Sequence, residues 1–267
     1  MKQPHRKRSE NPKWRHNSPA APSSRLLTGE TAKDSFQLES GQIHLWRLDL
    51  DLAPQYLRLA GDLLSSDEKE RARRYRFEKI RSRFVGSRSL LRVVLAGYLG
   101  VTPRRITFEY GVNGKPALSN QESPPGLQFN LSHSSSVGLL AVTLQDPIGV
   151  DIERIRPLHD VDRLARSCFA EHEFSLFKEV GPDEKLDVFY RCWTRKEAFV
   201  KALGQGLTRS TRSFEVSFLD PAKASLVAME GHPLEPELWS IEPLEPAEGY
   251  VGALAVRRPS ARISWLC

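Results

Sequence analysis

Six residues constrain this chain more than any others: Ile148-Gly149-Val150-Asp151-Ile152-Glu153. Apolar side chains at 148, 150 and 152 alternate with Gly149, Asp151 and Glu153. A strand points every second side chain to one face, so this stretch predicts a buried strand with both carboxylates on the same side. Further along, no Gly or Pro interrupts the chain from Lys185 to Leu203, which predicts a helix. On that helix Trp193, Glu197 and Lys201 fall at i, i+4 and i+8, so one face carries a carboxylate one turn before an ammonium.

Paired carboxylates repel unless a cation stands between them, and a third strengthens the demand. A hard divalent ion suits such a set. Mg²⁺ is held by one or two carboxylates, with waters and substrate phosphates in its remaining positions. Asp151, Glu153 and Glu197 are therefore the candidate metal ligands, and Lys201 the candidate phosphate partner. The plainer alternative is a solvated strand face and an ordinary surface i,i+4 pair.

A third stretch, Phe129-Asn130-Leu131-Ser132-His133-Ser134, stands just before the strand. Together the three stretches resemble the phosphopantetheinyl transferases, in the longer, pseudo-dimeric branch that includes the surfactin synthetase activator. That family carries a Ser-His strand end, then a Gly-hydrophobic-Asp-hydrophobic-Glu strand, then a helix with Trp, a Lys-Glu pair and a further Lys. Here these are Ser132-His133, Gly149 to Glu153, and Trp193 with Lys196-Glu197 and Lys201. The resemblance spans roughly Ser65 to Phe218.

The resemblance implies an α+β fold of two similar α/β lobes related by pseudo-twofold symmetry, with coenzyme A between them. It implies Mg²⁺-dependent transfer of phosphopantetheine from coenzyme A to a serine of an apo acyl or peptidyl carrier protein, with release of adenosine 3′,5′-bisphosphate. Glu197 and Lys201 would be catalytic, and Asp151, Glu153 and Glu197 would hold the metal. Coenzyme A would be bound by Ser132, His133, the Lys115 of Gly114-Lys115-Pro116, and basic residues of the first helical region. Arg83 and Arg88 match that region best, followed by Arg71 and Lys79. Two rivals remain at this level: a metal-dependent nuclease, and a non-catalytic protein that binds coenzyme A or a carrier.

Charge leaves the nuclease open, since the net charge is +6 and the isoelectric point about 9.3. Ten Lys or Arg residues fall between Lys69 and Arg92, while Phe84, Leu91, Leu95 and Tyr98 keep helical spacing toward a core. Motif order nevertheless disfavours a nucleic-acid partner. Cys168, Cys192 and Cys267 have no metal-site or disulfide spacing, which suits a reducing cytoplasm. No apolar run reaches ~18 residues, so no membrane span is expected. A pseudo-dimeric chain is expected to act as a monomer.

The expected division has three parts. Residues 1–40, rich in Arg, Lys, Pro and Ser, read as a disordered basic arm, with a transit peptide or a nucleic-acid arm as alternatives. Residues 41–146 read as an N-terminal lobe, beginning with an alternating strand at Ile43 to Asp49. Residues 147–267 read as a C-terminal lobe carrying the metal site, with helices at 161–169 and 183–203 and strands at 214–218, 250–256 and 263–266.

Overall fold

The structure is a computed structural model that describes residues 23–29, 36–111, 116–119, 126–204 and 210–266. It begins with a short helix, α1 (Ser24–Thr28), followed by the strand β1 (Gln42–Asp49). Three helices follow: α2 (Pro54–Leu63), α3 (Ser66–Arg73) and α4 (Glu78–Leu99). Pro54 opens α2, where a missing N–H costs nothing, and Gly100 closes α4 at φ 64°. At the start of α3, Ser65 N donates to Glu68 Oε2, tying the first turn of the helix to its cap.

The short strands β2 (Phe108–Tyr110) and β3 (Pro116–Leu118) pair antiparallel and lead to the hairpin of β4 (Leu127–Ser134) and β5 (Val137–Leu144). The metal-motif stretch is β6 (Ile148–Arg154), as its alternation predicts. After it come α5 (Val161–Cys168), α6 (Glu171–Lys178) and α7 (Pro182–Leu203). The chain ends with β7 (Phe214–Val216), β8 (Leu226–Met229), α8 (Glu235–Leu238), β9 (Ser240–Leu244), β10 (Tyr250–Val256) and β11 (Arg262–Leu266).

Two sheets, each backed by one 22-residue helix, form the two lobes of this α+β fold. In the first the order is β11-β1-β5-β4, and α4 covers one face through Leu90, Leu91, Val94 and Leu95 against Trp46, Leu48 and Leu140. In the second the order is β6-β10-β9, and α7 packs over it with Phe199, Phe214 and Trp239 in the same cluster. The opposite faces of the two sheets share a third core, where Ile43, Leu45 and Leu139 meet Val150, Ile152 and Leu254. Burying both faces of both sheets holds the lobes at a defined separation. Among the described residues, no helix is long and apolar enough to cross a membrane.

Two expectations need correction. Residues 23–29 lie inside the expected disordered arm, yet they form α1, whose Leu26 is buried in the first lobe's core. Phe36 stacks on Trp46 at 5.4 Å, and a side chain on Gly97 would strike its ring. The rest of the arm lies outside the described residues. The second correction concerns the C-terminus: β11 pairs in parallel with β1, so the last strand belongs to the first lobe's sheet. The alternation of Ile263 and Trp265 with Arg262 and Ser264 could identify a strand but not which edge it would join.

Candidate active site

The site lies where β4 faces β6, the edge strands of different sheets. No backbone ladder joins them. Instead three side chains of β4 at period two reach across. Asn130 Oδ1 accepts from Val150 N at 2.8 Å. Ser132 Oγ donates to Asp151 Oδ1 at 2.9 Å. Ser134 Oγ donates to Glu153 Oε2 at 2.8 Å and accepts from Arg154 N at 3.1 Å. Because alternate strand residues share a face, the Asn-Leu-Ser-His-Ser stretch delivers all three to the lobe junction. Sequence reasoning singled out Ser132 and missed Asn130 and Ser134, although their polar alternation was there to be read.

Gly149 brings the helix to this strand. A Cβ there would lie 2.1 Å from the Ala198 carbonyl oxygen and 2.4 Å from Ala202 N, so only glycine lets α7 approach this closely. Glu197 and Lys201 each precede one of those alanines, and the close packing therefore sets the helix register that carries them to the carboxylates. Lys201 Nζ donates to Asp151 Oδ1 at 2.5 Å and to Ser132 Oγ at 2.9 Å. The expected grouping of Asp151, Glu153, Glu197, Lys201 and Ser132 is thus assembled from three elements.

Electrostatics mark two of the carboxylates, Glu197 and Glu153, as under strain. Burial, and then the Asp151 and Glu153 charges, push the Glu197 carboxyl above the ordinary range. Burial also raises Glu153, aided by Asp151 and opposed by the Ser134 hydrogen bond. Two buried oxygens, Asp151 Oδ2 and Glu197 Oε1, have no donor among the described residues. Among the described residues no three His, Cys, Asp or Glu side chains converge as a ready ion cage. At Asp151 the Lys201 ammonium supplies the positive charge. His133 follows Ser132 on β4; crowding by the protein and the Lys201 cation hold its imidazole below the usual histidine range.

The basic residues separate into two kinds. Arg83 forms a two-pronged pair with Asp51, Nε to Oδ1 at 2.6 Å and Nη2 to Oδ2 at 2.8 Å. Its Nη1 reaches Ser135 Oγ at 3.4 Å, in the β4–β5 turn beside the carboxylates. Lys79 is exposed and near enough to Asp51 to lower its carboxyl further. Arg71 is also exposed, with its guanidinium 5.4 Å from the Phe84 ring centre.

Arg88, also expected at a coenzyme phosphate, is different, because its guanidinium is engaged inside the first lobe. Its side chain is only 10% exposed and pairs with the buried Glu68 at 2.7 Å. Nη2 also donates to Tyr110 Oη, and the guanidinium stacks 4.6 Å from the Phe108 ring. Glu68 also accepts from Arg92 Nε at 2.7 Å, so this cluster binds α3 to α4 and leaves Arg88 turned inward. Helical periodicity could not separate the two arginines, because Glu68, the partner that draws Arg88 in, sits on another helix. Lys115 lies outside the described residues.

Comparison with known proteins matches both halves of the chain to one family. Residues 147–255 match the model of the 4′-phosphopantetheinyl transferase superfamily. Residues 52–145 match that of the 4′-phosphopantetheinyl transferase N-terminal region. The chain is 38% identical over 219 residues to the 4′-phosphopantetheinyl transferase HetI of Nostoc sp., a match spanning 82% of this chain and 89% of that protein. It is 28% identical over 197 residues to the 4′-phosphopantetheinyl transferase Sfp of Bacillus subtilis, covering 73% and 83% of the two chains. A match to the L-aminoadipate-semialdehyde dehydrogenase-phosphopantetheinyl transferase of Xenopus laevis is 32% identical over 169 residues, covering 60% and 56%.

Proposed function

The chain belongs to the 4′-phosphopantetheinyl transferase superfamily, and on that premise we propose how its residues divide the work. The enzyme moves phosphopantetheine from coenzyme A to a serine of an apo-carrier protein. The serine oxygen bonds to the β-phosphorus, the bond from that phosphorus to the bridging oxygen breaks, and adenosine 3′,5′-bisphosphate leaves with the electron pair. A base must take the serine proton. Such a transfer depends on positioning and charge neutralisation.

Asp151, Glu153 and Glu197 would hold Mg²⁺. The observation that carries this reading is the pair of donorless buried oxygens, Asp151 Oδ2 and Glu197 Oε1, within a mutually repelling group of carboxylates. A buried acceptor without a donor is costly, and a hard divalent cation answers both the missing donor and the repulsion. When bound, Mg²⁺ would neutralise charge on the pyrophosphate oxygens.

Lys201 would steady the same phosphates as a point charge, held in place by Asp151 and Ser132. Glu197 is the proposed acceptor of the serine proton, directly or through a water, because the close packing of α7 on Gly149 brings its carboxylate to the same cluster as Asp151 and Lys201. His133 would donate an N–H to a coenzyme phosphate, and Arg83, Lys79 and Arg71 would add positive charge to the same cleft. Lys115 keeps only the support of the motif it matches.

The reading extends to a cytoplasmic monomer with no membrane partner. Both lobes come from one chain, and Cys168 and Cys192 are free thiols. The test is intact mass of purified apo acyl and peptidyl carriers after incubation with coenzyme A, with and without Mg²⁺. Gain of one phosphopantetheine group only with the metal is expected. Transfer undiminished by chelation would overturn the metal assignment.

A further inference from the structure

Residues 76–81, at the start of α4, are all exposed: Arg76, Phe77, Glu78, Lys79, Ile80 and Arg81. Phe77 is 64% exposed and Ile80 50%. A single exposed apolar side chain needs no explanation. Phe77 is the N-cap residue of α4 and Ile80 lies in its first turn, so the two stand close together at the helix start. They also continue a stripe that is buried further along the same helix, at Phe84, Leu91 and Leu95. The stripe therefore runs out of the core onto a turn that no described element covers.

The position matters as much as the exposure. Arg83, one turn beyond Ile80, reaches the β4–β5 turn at Ser135, and the preceding Ser134 holds Glu153. The apolar pair thus stands at the start of the helix whose next turn carries Arg83 to the site. Its surroundings are strongly basic: from Arg73 to Arg83 there are six Lys or Arg residues against one Glu. An apolar centre within a cationic rim fits a partner whose own apolar patch is ringed by carboxylates.

We propose that the first turn of α4 is the docking surface for an acidic face of the carrier protein, with Phe77 and Ile80 as apolar anchors and Arg76 and Arg81 in the charged rim. This rests on the transfer reaction proposed above, which requires a folded carrier to bring its serine to the carboxylates. Anchors of this kind carry much of an interface's affinity, while rim charges chiefly speed encounter.

The test is steady-state kinetics of Phe77→Ser and Ile80→Ser with the carrier varied at saturating coenzyme A, then the reverse. Each variant is expected to raise the carrier KM about tenfold, equivalent to about 1.4 kcal/mol. Coenzyme A KM and kcat should stay within about twofold of the parent, and Tm should hold because both side chains are already exposed. The double variant Arg76→Glu, Arg81→Glu should flatten the salt dependence of kcat/KM for the carrier. An unchanged carrier KM in both apolar variants, an equal rise in coenzyme A KM, or a parental salt slope in the charge variant would overturn the surface. If the parent enzyme transfers nothing, the functional reading falls; if it transfers normally while the variants are indifferent, the docking surface alone falls.

Discussion

Lys201 Nζ lies 2.5 Å from Asp151 Oδ1, and Ser132 Oγ bridges the two, accepting from the ammonium and donating to the carboxylate at 2.9 Å each. The lysine thus supplies positive charge to a carboxylate that is 6% exposed. Lys201→Met should leave Asp151 without it. Removing one partner of a fully buried pair costs about 3–5 kcal/mol. Lys201 is itself 28% exposed, so a cost of about 1–2 kcal/mol is expected here. That corresponds to a Tm fall of about 2–8 °C, part of which Mg²⁺ should restore. Thermal denaturation with and without the ion checks this, and an unchanged Tm would count against the pair.

Gly149→Ala tests the close approach of α7. With its Cβ aimed at the Ala198 carbonyl, the helix must move, carrying Glu197 and Lys201 away from β6. Overpacking of this kind costs about 1–3 kcal/mol, while a displacement near 1 Å at a reacting site can cost about a hundredfold in rate. A folded enzyme with a far larger loss in kcat than in stability is expected. Circular dichroism melts beside carrier-modification rates decide it; parental kcat would show that the register does not depend on Gly149.

Glu197→Gln should separate stability from activity. The folded protein raises the proton affinity of Glu197 and Glu153 above that of the unfolded chain. Their protonated forms therefore contribute stability that is full below the ordinary glutamate value and is lost as pH rises through the folded one. The metal-free enzyme should lose stability over that rise, and the glutamine variant should lose less. Near neutral pH the variant should melt about 2–4 °C higher, the shift that about 1 kcal/mol produces at this size, while transfer is abolished. Melts from about pH 4 to about pH 8 provide the check; identical slopes in the two proteins would contradict it.

Arg83→Ala and Arg88→Ala should fail in opposite ways. Arg88 shares the buried Glu68 with Arg92, and its loss leaves that carboxylate one cation short. A cost of about 3 kcal/mol and a Tm fall of about 6–12 °C are expected, with coenzyme A KM nearly unchanged. Arg83 is a surface pair with Asp51, so Arg83→Ala should leave Tm within a few degrees. It should weaken coenzyme A more than the analogue lacking the ribose 3′-phosphate. Kinetics with both ligands, beside melting curves, distinguish the two; a stable Arg88→Ala enzyme with a raised coenzyme KM would reverse the assignment.

Much of the site was legible because its signals are local. The alternation from Ile148 to Glu153 determined a strand and the shared face of two carboxylates. The unbroken run to Leu203 determined a helix with Glu197 and Lys201 one turn apart. Motif order then pointed to the family. These properties follow from backbone periodicity, which needs no knowledge of neighbours.

Other features depended on contacts between distant segments. Only tertiary structure turned Arg88 inward to Glu68 while leaving Arg83 at the cleft, set β11 beside β1, and packed α1 against the first lobe. It also put Asn130, Ser132 and Ser134 opposite β6, where side chains replace a backbone ladder. Periodicity names the face on which a residue stands, whereas the partner across that face comes from another part of the chain. Whether an arginine meets a buried carboxylate or open solvent is therefore decided by how the elements pack.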